Sequence, residues 1–219
     1  MKSFAKSLIA AALMTIAGSA SAVVLTPSVL TPLPGTTVAL NPQLAGIVLE
    51  DVMQSFSFAA NGGTVSGTVQ SRVVRSTLDG TLDFYWRVTS DLASSAAISS
   101  FRIGNFMTAS YDADWRIDGL GDTAPATAYL FPGTAGDVNY IFSGQRIGGL
   151  GAGAESYFMF MDTSATKYDM SAIYDLTAQV EISNLFSTFA PSYVPEPGSV
   201  AIFALGFAGL AAARRRRQA

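Results

Sequence analysis

The sequence contains no cysteine and no histidine. The absence of cysteine excludes a disulfide framework, a thiolate nucleophile, and zinc or iron–sulfur sites with cysteine ligands. The absence of histidine removes the commonest general base and the commonest zinc ligand. The glycine-rich run over residues 148–153 is flanked by strand-like sequence, so it indicates a hairpin connection rather than a nucleotide-binding loop. Without cysteine and histidine, most familiar hydrolase sites are excluded.

Positive charge is scarce in the middle of the chain. Residues 23–193 hold seven of the 13 lysines and arginines but 15 of the 16 acidic residues. The net charge of this part is therefore about −8, although that of the whole chain is −3. Such a surface repels phosphate backbones, so we expect no nucleic-acid partner.

The first 22 residues have the pattern of a secretory signal peptide. Lys2 and Lys6 precede a short apolar run over residues 8–17, and small residues follow it. The apolar run is well below the roughly 20 residues that a membrane-spanning helix needs, which argues against the alternative of a first transmembrane helix. We expect removal of residues 1–22. The residues that define the cleavage site are Ala20, Ala22 and Val23.

The C-terminal segment, residues 191–219, combines three features in a fixed order. A short motif at 194–197 is followed by an uncharged apolar run of 15 residues at 199–213 and by a basic cluster at 214–217. As a helix the apolar run is about 22 Å long, short of a hydrocarbon core of about 30 Å, so local thinning and snorkelling arginines must help it span. The arginines keep that end cytoplasmic and place the preceding domain outside.

This C-terminal segment resembles the PEP-CTERM sorting signals of exported bacterial proteins. The residues that carry the resemblance are Val194, Pro195, Glu196 and Pro197 of the motif, and Arg214, Arg215, Arg216 and Arg217 of the basic cluster. The resemblance implies that an exosortase in the inner membrane recognises the tail and cuts near the motif. It also implies a transient membrane anchor, a final place at the cell surface or in the extracellular matrix, and a link to exopolysaccharide or biofilm.

The motif also has a physical rationale. Pro195 and Pro197 have a fixed φ and no amide proton, so they keep the motif extended instead of letting it join the helix. An extended backbone is the form that a protease cleft can bind. The alternative is an ordinary single-span anchor with a proline-rich linker, although such an anchor would usually be longer. A GPI signal is a poorer match, because its tail would end in apolar residues.

The central part of the chain predicts an all-β domain. Residues 23–45 are rich in proline and threonine and are expected to form an extended lead-in or edge segment. From residue 46 to 190, many short runs of alternating hydrophobicity are separated by glycine-containing turns. This pattern is typical of an antiparallel β-sandwich or jelly roll, flanked here by the signal peptide and one short C-terminal transmembrane helix.

Four strands are defined best by their side-chain pattern. One face of the first is expected to be apolar through Leu82, Phe84, Trp86 and Val88, with Asp83 and Tyr85 on the other face. In the second, Val65, Val69 and Val73 share a face. In the third, the residues that share a face are Leu176, Ala178, Val180 and Ile182. The fourth, residues 157–161, is apolar on both faces, as expected of a central strand.

The densest group of acidic side chains is the candidate metal site. It comprises Asp112, Asp114, Asp118 and Asp122. Carboxylate oxygens near a glycine-containing loop could bind Ca²⁺, the one cofactor that we consider. The spacing does not match an EF-hand, because Arg116 falls where the third ligand should be. A solvated acidic strand and turn is the competing interpretation, since aspartate is common in β-turns.

The function expected from the sequence is that of a non-enzymatic surface or matrix protein. Its expected partners are an exosortase, the inner membrane and an exopolysaccharide. Two alternatives stay open: a secreted carbohydrate-active enzyme that uses a carboxylate pair, and a Ca²⁺-dependent sugar-binding module. Trp115, beside the aspartates, is the better candidate for a platform under a sugar ring, whereas Trp86 is expected in the core.

Overall fold

The structure is a computed structural model that describes residues 22–133, 135–142 and 148–192. The predicted signal peptide up to residue 21, the sorting motif, the apolar run and the arginine cluster lie outside the described residues. Within the described part of the chain, no helix is both long and apolar enough to cross a membrane.

The described residues form β-strands and one short 3-10 helix, Pro42–Leu44. The strands are β1 (Val23–Val24), β2 (Leu30–Pro32), β3 (Gly46–Ala60), β4 (Gly63–Ser76), β5 (Leu82–Ser90), β6 (Ile98–Gly104), β7 (Asp112–Trp115), β8 (Thr127–Leu130), β9 (Val138–Ile141), β10 (Met159–Asp162), β11 (Tyr168–Ala178), β12 (Glu181–Ile182) and β13 (Phe186–Pro191).

The strands form two antiparallel sheets. The first sheet has the order β1-β7-β10-β5-β4-β3. The second has the order β12-β11-β6-β9-β8-β2, and β13 also pairs with β11. The prediction of an all-β domain of antiparallel sheets is confirmed. The run near residues 157–161 does contain a central strand, since β10 lies between β7 and β5.

The main hydrophobic core lies between the two sheets. Trp86 on β5 packs against Phe101 on β6, with ring centroids 6.2 Å apart, and its Nε1–H donates to Thr188 Oγ1 on β13 at 2.7 Å. The valines predicted to share a face of β4, Val65, Val69 and Val73, are fully buried in this core. Each buried side chain of this kind stabilises the domain by about 1.5–3 kcal/mol relative to an exposed position.

The predicted strand through residues 176–182 is wrong, because the chain turns back within it. The strand β11 ends at Ala178, Gln179 adopts a φ of +57°, and β12 returns beside β11. In this hairpin Ile182 lies opposite Thr177, so its side chain leaves the face that Leu176 shares with the core. Val180 is 85% exposed. An alternating pattern that continues through a two-residue turn cannot be distinguished from one long strand.

The lead-in segment, residues 23–45, both supplies edge strands and covers the outer face of the first sheet. It forms β1 on the edge of the first sheet and β2 on the edge of the second. Its 3-10 helix places Leu44 in a small outer core. The other members of that core are Ala22, Val74, Tyr85, Phe158 and Phe160. The sequence pattern predicted an extended lead-in or edge segment, but it did not predict this cover.

Candidate functional site

The first two predicted metal ligands lie on β7 and have different environments. Asp112 is half-buried, and its Oδ2 accepts a hydrogen bond from Ser110 Oγ at 2.8 Å. Asp114 is fully buried, and its Oδ1 accepts the backbone N–H groups of Gly35 and Trp115, each at 2.9 Å. Burial raises the pKa of Asp114 to about 6 against the opposing effect of these two hydrogen bonds. Asp114 therefore holds the lead-in segment against the first sheet.

The other two predicted ligands bind their own neighbours. Asp118 accepts Arg116 Nε at 2.6 Å and the Val38 N–H at 2.9 Å. Burial alone would raise the pKa of Asp118, but these hydrogen bonds hold it below its ordinary value. Asp122 accepts Thr123 Oγ1 at 2.7 Å and the backbone N–H of Glu155 at 3.1 Å. Within residues 22–133, 135–142 and 148–192, no group of three or more acidic side chains is arranged to hold a metal ion.

A buried pair of carboxyl groups lies on the outer face of the first sheet. Asp83 on β5 is the register partner of Asp162 on β10, and Asp162 is in turn the partner of Asp112 on β7. Gln43 of the lead-in donates its side-chain amide to Asp162. Burial, followed by the negative charge of Asp162, raises the pKa of Asp83 to about 9.

This carboxyl pair was not identified from the sequence. Burial also raises the pKa of Asp162, against the opposing effect of the hydrogen bond from Gln43. Paired carboxyls of this kind serve acid–base chemistry in some enzymes. Here Asp83 has no solvent-exposed surface, so the pair is part of the packing beneath the lead-in. The two aspartates lie 79 positions apart in the sequence, and only strand register brings them together.

An open pocket of about 250 Å³ lies on the same outer face. Its lining combines two guanidinium groups with apolar and aromatic side chains. The lining residues are Arg72, Val74, Tyr85, Arg116, Asp118, Gly119, Leu120 and Phe158. The pocket is therefore a concave site with a few polar groups above an apolar floor, which is the general form of a small-molecule site.

Arginine side chains are concentrated around this pocket. Arg72 pairs with Asp51 at 2.7 Å, and its guanidinium carbon lies 4.8 Å from the ring centroid of Phe158. Arg87 pairs with Glu155 at 3.2 Å and lies 5.3 Å from the same ring. With Arg116, three of the seven basic residues between 23 and 193 lie here. Guanidinium groups have five N–H donors, so these ion pairs leave donors available to a ligand.

The two tryptophans differ in burial. Trp86 lies in the core as predicted. Trp115, the predicted sugar platform, is half-buried and packs against the core; its Nε1–H donates to the Leu33 carbonyl at 3.2 Å. Its ring lies 4.9 Å from that of Tyr157. The structure therefore places Trp115 at the edge of the core and outside the lining of the pocket.

The comparisons with known proteins identify the tail. A family model described as the PEP-CTERM protein-sorting motif matches residues 194–217. Neither the curated proteins nor the solved structures gave a match to this chain. The match implies export and sorting at the membrane through the C-terminal region. The particular signal is PEP-CTERM, as the sequence resemblance predicted, and it implies an exosortase as the processing partner.

Proposed function

We propose that this chain is a non-enzymatic surface or extracellular-matrix protein whose tail an exosortase removes after export, and that its β domain contributes to an exopolysaccharide matrix or biofilm. The observation that carries the proposal is the sorting motif at residues 194–217. The motif begins three residues after Pro191, the last residue of β13. In the sequence, the described β domain therefore ends shortly before the cleavage region.

The outer pocket supports a binding function for the domain. A volume of about 250 Å³ suits one small ring rather than a long chain. Apolar contact with Phe158 and Leu120 would hold the face of a sugar ring, and the free N–H donors of Arg72 and Arg116 would bind its oxygens. We propose that one sugar unit of the surrounding polysaccharide binds in this pocket.

Processing of the tail tests the first part of the proposal. The full chain is expressed in cells with and without the exosortase, and its mass and membrane fraction are measured. We expect the wild-type chain to lose roughly 2 kDa only when the exosortase is present. Replacement of Pro195, Glu196 and Pro197 together by alanine should leave the uncut chain in the membrane, while Ser199→Ala should be processed normally. A wild-type chain that keeps its arginine cluster in both strains would refute the proposal.

The rival enzymatic function predicts a different result. Glycosidases hold two carboxyl groups about 5–10 Å apart beside the substrate, whereas Asp83 of the Asp83–Asp162 pair has no exposed surface. We therefore expect binding to a glycan array without release of sugar. Sugar release that is abolished by Asp162→Asn would identify an enzyme instead.

The second alternative, a Ca²⁺-dependent sugar-binding module, can be tested by melting. A ligand that binds only the folded state raises the melting temperature by mass action. Millimolar Ca²⁺ that raises the melting temperature, with reversal by a chelator, would support this alternative. The predicted ligands Asp118 and Asp122 are the residues to replace by asparagine in that case.

A further inference from the structure

The strand β3 is a long sheet edge with an open side. It runs for 15 residues at the end of the first sheet, and β4 is its sheet neighbour. At the other edge of this sheet, β1 has two residues. At the edges of the second sheet, β12 and β2 have two and three residues, and β13, which pairs with β11, has six. Among the described strands, β3 is therefore by far the longest edge, and β4 is the one strand that pairs with it.

The exposed side of β3 is also unusually apolar. Its large exposed hydrophobic residues are Ile47, Val48, Leu49, Val52 and Met53, with Ile47 63% and Met53 56% exposed. The strand contains no lysine or proline, the residues with which many proteins block pairing at a sheet edge. Its two acidic residues are already engaged: Asp51 pairs with Arg72, and Glu50 accepts a hydrogen bond from the Tyr168 hydroxyl at 2.8 Å.

We propose that β3 pairs antiparallel with β3 of a second copy of this chain, so that the two first sheets join into one continuous sheet. A second copy is the partner because the other edge strands in the described part of the chain have six residues or fewer, so only another β3 matches the 15 residues of this edge. The contact is isologous, with the same strand on both sides. This contact pairs the open edge of each copy with that of the other, so assembly stops at a dimer instead of continuing as a fibre.

The geometry of β3 sets the register of this pairing. A bulge between Val48 and Glu50 interrupts the ladder, so the regular part runs from Glu50 to Ala60. The middle of this part is Ser55, and a two-fold axis there places Glu50 opposite Ala60 of the partner strand. With this axis, no acidic residue of one strand faces an acidic residue of the other. An axis between Glu50 and Asp51 would instead place Glu50 of one copy opposite Asp51 of the other, which is unfavourable. Val52 would lie beside Phe58 across the new interface, which covers exposed apolar surface.

Disulfide trapping tests the register, because the chain has no cysteine of its own. Single variants Ser55→Cys, Ser57→Cys and Leu92→Cys of the full chain are oxidised mildly and separated by mass. Residues on the two-fold axis are strand neighbours, within the Cα separation of less than about 7 Å that a disulfide needs. The two copies of a residue that lies two positions from the axis, such as Ser57, are offset from each other by four residues, or roughly 13 Å along the strand.

We expect covalent dimers from Ser55→Cys at least about tenfold faster than from Ser57→Cys or Leu92→Cys. Leu92 is a matched control because it is 85% exposed and lies in the turn between β5 and β6 instead of on β3. Equal cross-linking at the three positions would indicate random collision and overturn the proposal. Absence of cross-linking at residue 55 would also overturn it.

The mass of the native particle in solution is the second test. The full chain should have twice the mass of one copy by light scattering, and Met53→Lys should shift it to a monomer, because a charge in the apolar interface opposes pairing. Leu92→Lys should remain a dimer. A wild-type monomer, or a Met53→Lys variant that stays dimeric, would contradict β3 pairing. If Met53→Lys fails to fold, the cysteine pattern at residue 55 decides.

Discussion

Asp83 and Asp162 lie opposite each other on β5 and β10, where Gln43 of the lead-in segment donates its side-chain amide to Asp162. Asp83 has no exposed surface, and both of its carboxyl oxygens lack a hydrogen-bond donor among the other described residues. A carboxyl group in this position is stable only in its protonated form, because an unpaired buried charge is very unfavourable. The pair therefore couples the stability of the domain to pH.

The first prediction concerns this coupling. The pKa of Asp83 is about 9 in the folded chain, far above the ordinary value of 3.8 that the unfolded chain has. Between these values the folded state holds a proton that the unfolded state releases. The free energy of unfolding should therefore fall as pH rises from about 4 to about 9, by roughly 1 kcal/mol per pH unit from this group.

The variant Asp83→Asn removes this proton linkage and keeps the shape of the side chain. We expect its free energy of unfolding to decline less with pH than that of the wild type. The difference in free energy of unfolding in favour of the variant should therefore be largest near pH 9. Urea titrations at pH 5, 7 and 9 measure the effect. Asp91→Asn, at an exposed carboxyl that accepts Ser66 Oγ, is the control. Parallel pH profiles for wild type and Asp83→Asn would contradict the raised pKa of Asp83.

The second prediction concerns Asp114 as the link between the lead-in and β7. Asp114→Ala leaves the buried N–H groups of Gly35 and Trp115 without their acceptor, which should cost about 1–3 kcal/mol for each group left unpaired. Asp114→Asn keeps an acceptor oxygen and should cost much less. Thermal melting of the two variants compares them. Equal losses would show that the charge of Asp114, rather than its two accepted hydrogen bonds, matters.

The third prediction concerns a close approach of backbone to an aromatic ring. Gly35 has a φ of +77°, and a Cβ atom there would lie 2.4 Å from the Trp115 ring. Gly80 has nearly the same φ, +78°, but a Cβ atom there would meet nothing within 4 Å. Gly80→Ala should therefore cost only the backbone strain, about 1–2 kcal/mol, whereas Gly35→Ala should cost clearly more. Equal midpoints in urea for the two variants would exclude the clash.

The fourth prediction concerns the mature N-terminus. The small residues Ala20 and Ala22 precede Val23, and Val23 is the first residue of β1, where it pairs with Ala113. Intact-mass measurement of the exported chain should therefore show Val23 as the first residue. Ala22→Arg, which places a bulky charge at the cleavage position, should block processing, while Ser21→Thr should not. An exported chain that still begins at Met1 would rule out the predicted cleavage.

The sequence alone determined the class of fold and the sorting signal. Period-two alternation reports which side of a strand packs into the core, so the buried valines of β4 and the interior position of β10 could be predicted. The PEP-CTERM motif is read from consecutive residues and needs no tertiary information.

The tertiary structure decided what covers the outer face of the first sheet and which distant residues meet there. Alternation cannot show that Leu44 of the lead-in buries Tyr85, because it carries no information about layers added outside a sheet. It also cannot set strand register, which depends on packing and turns across the whole domain. The Asp83–Asp162 pair, the arginine-rich pocket and the open edge of β3 all depend on that register, so only the folded chain shows them.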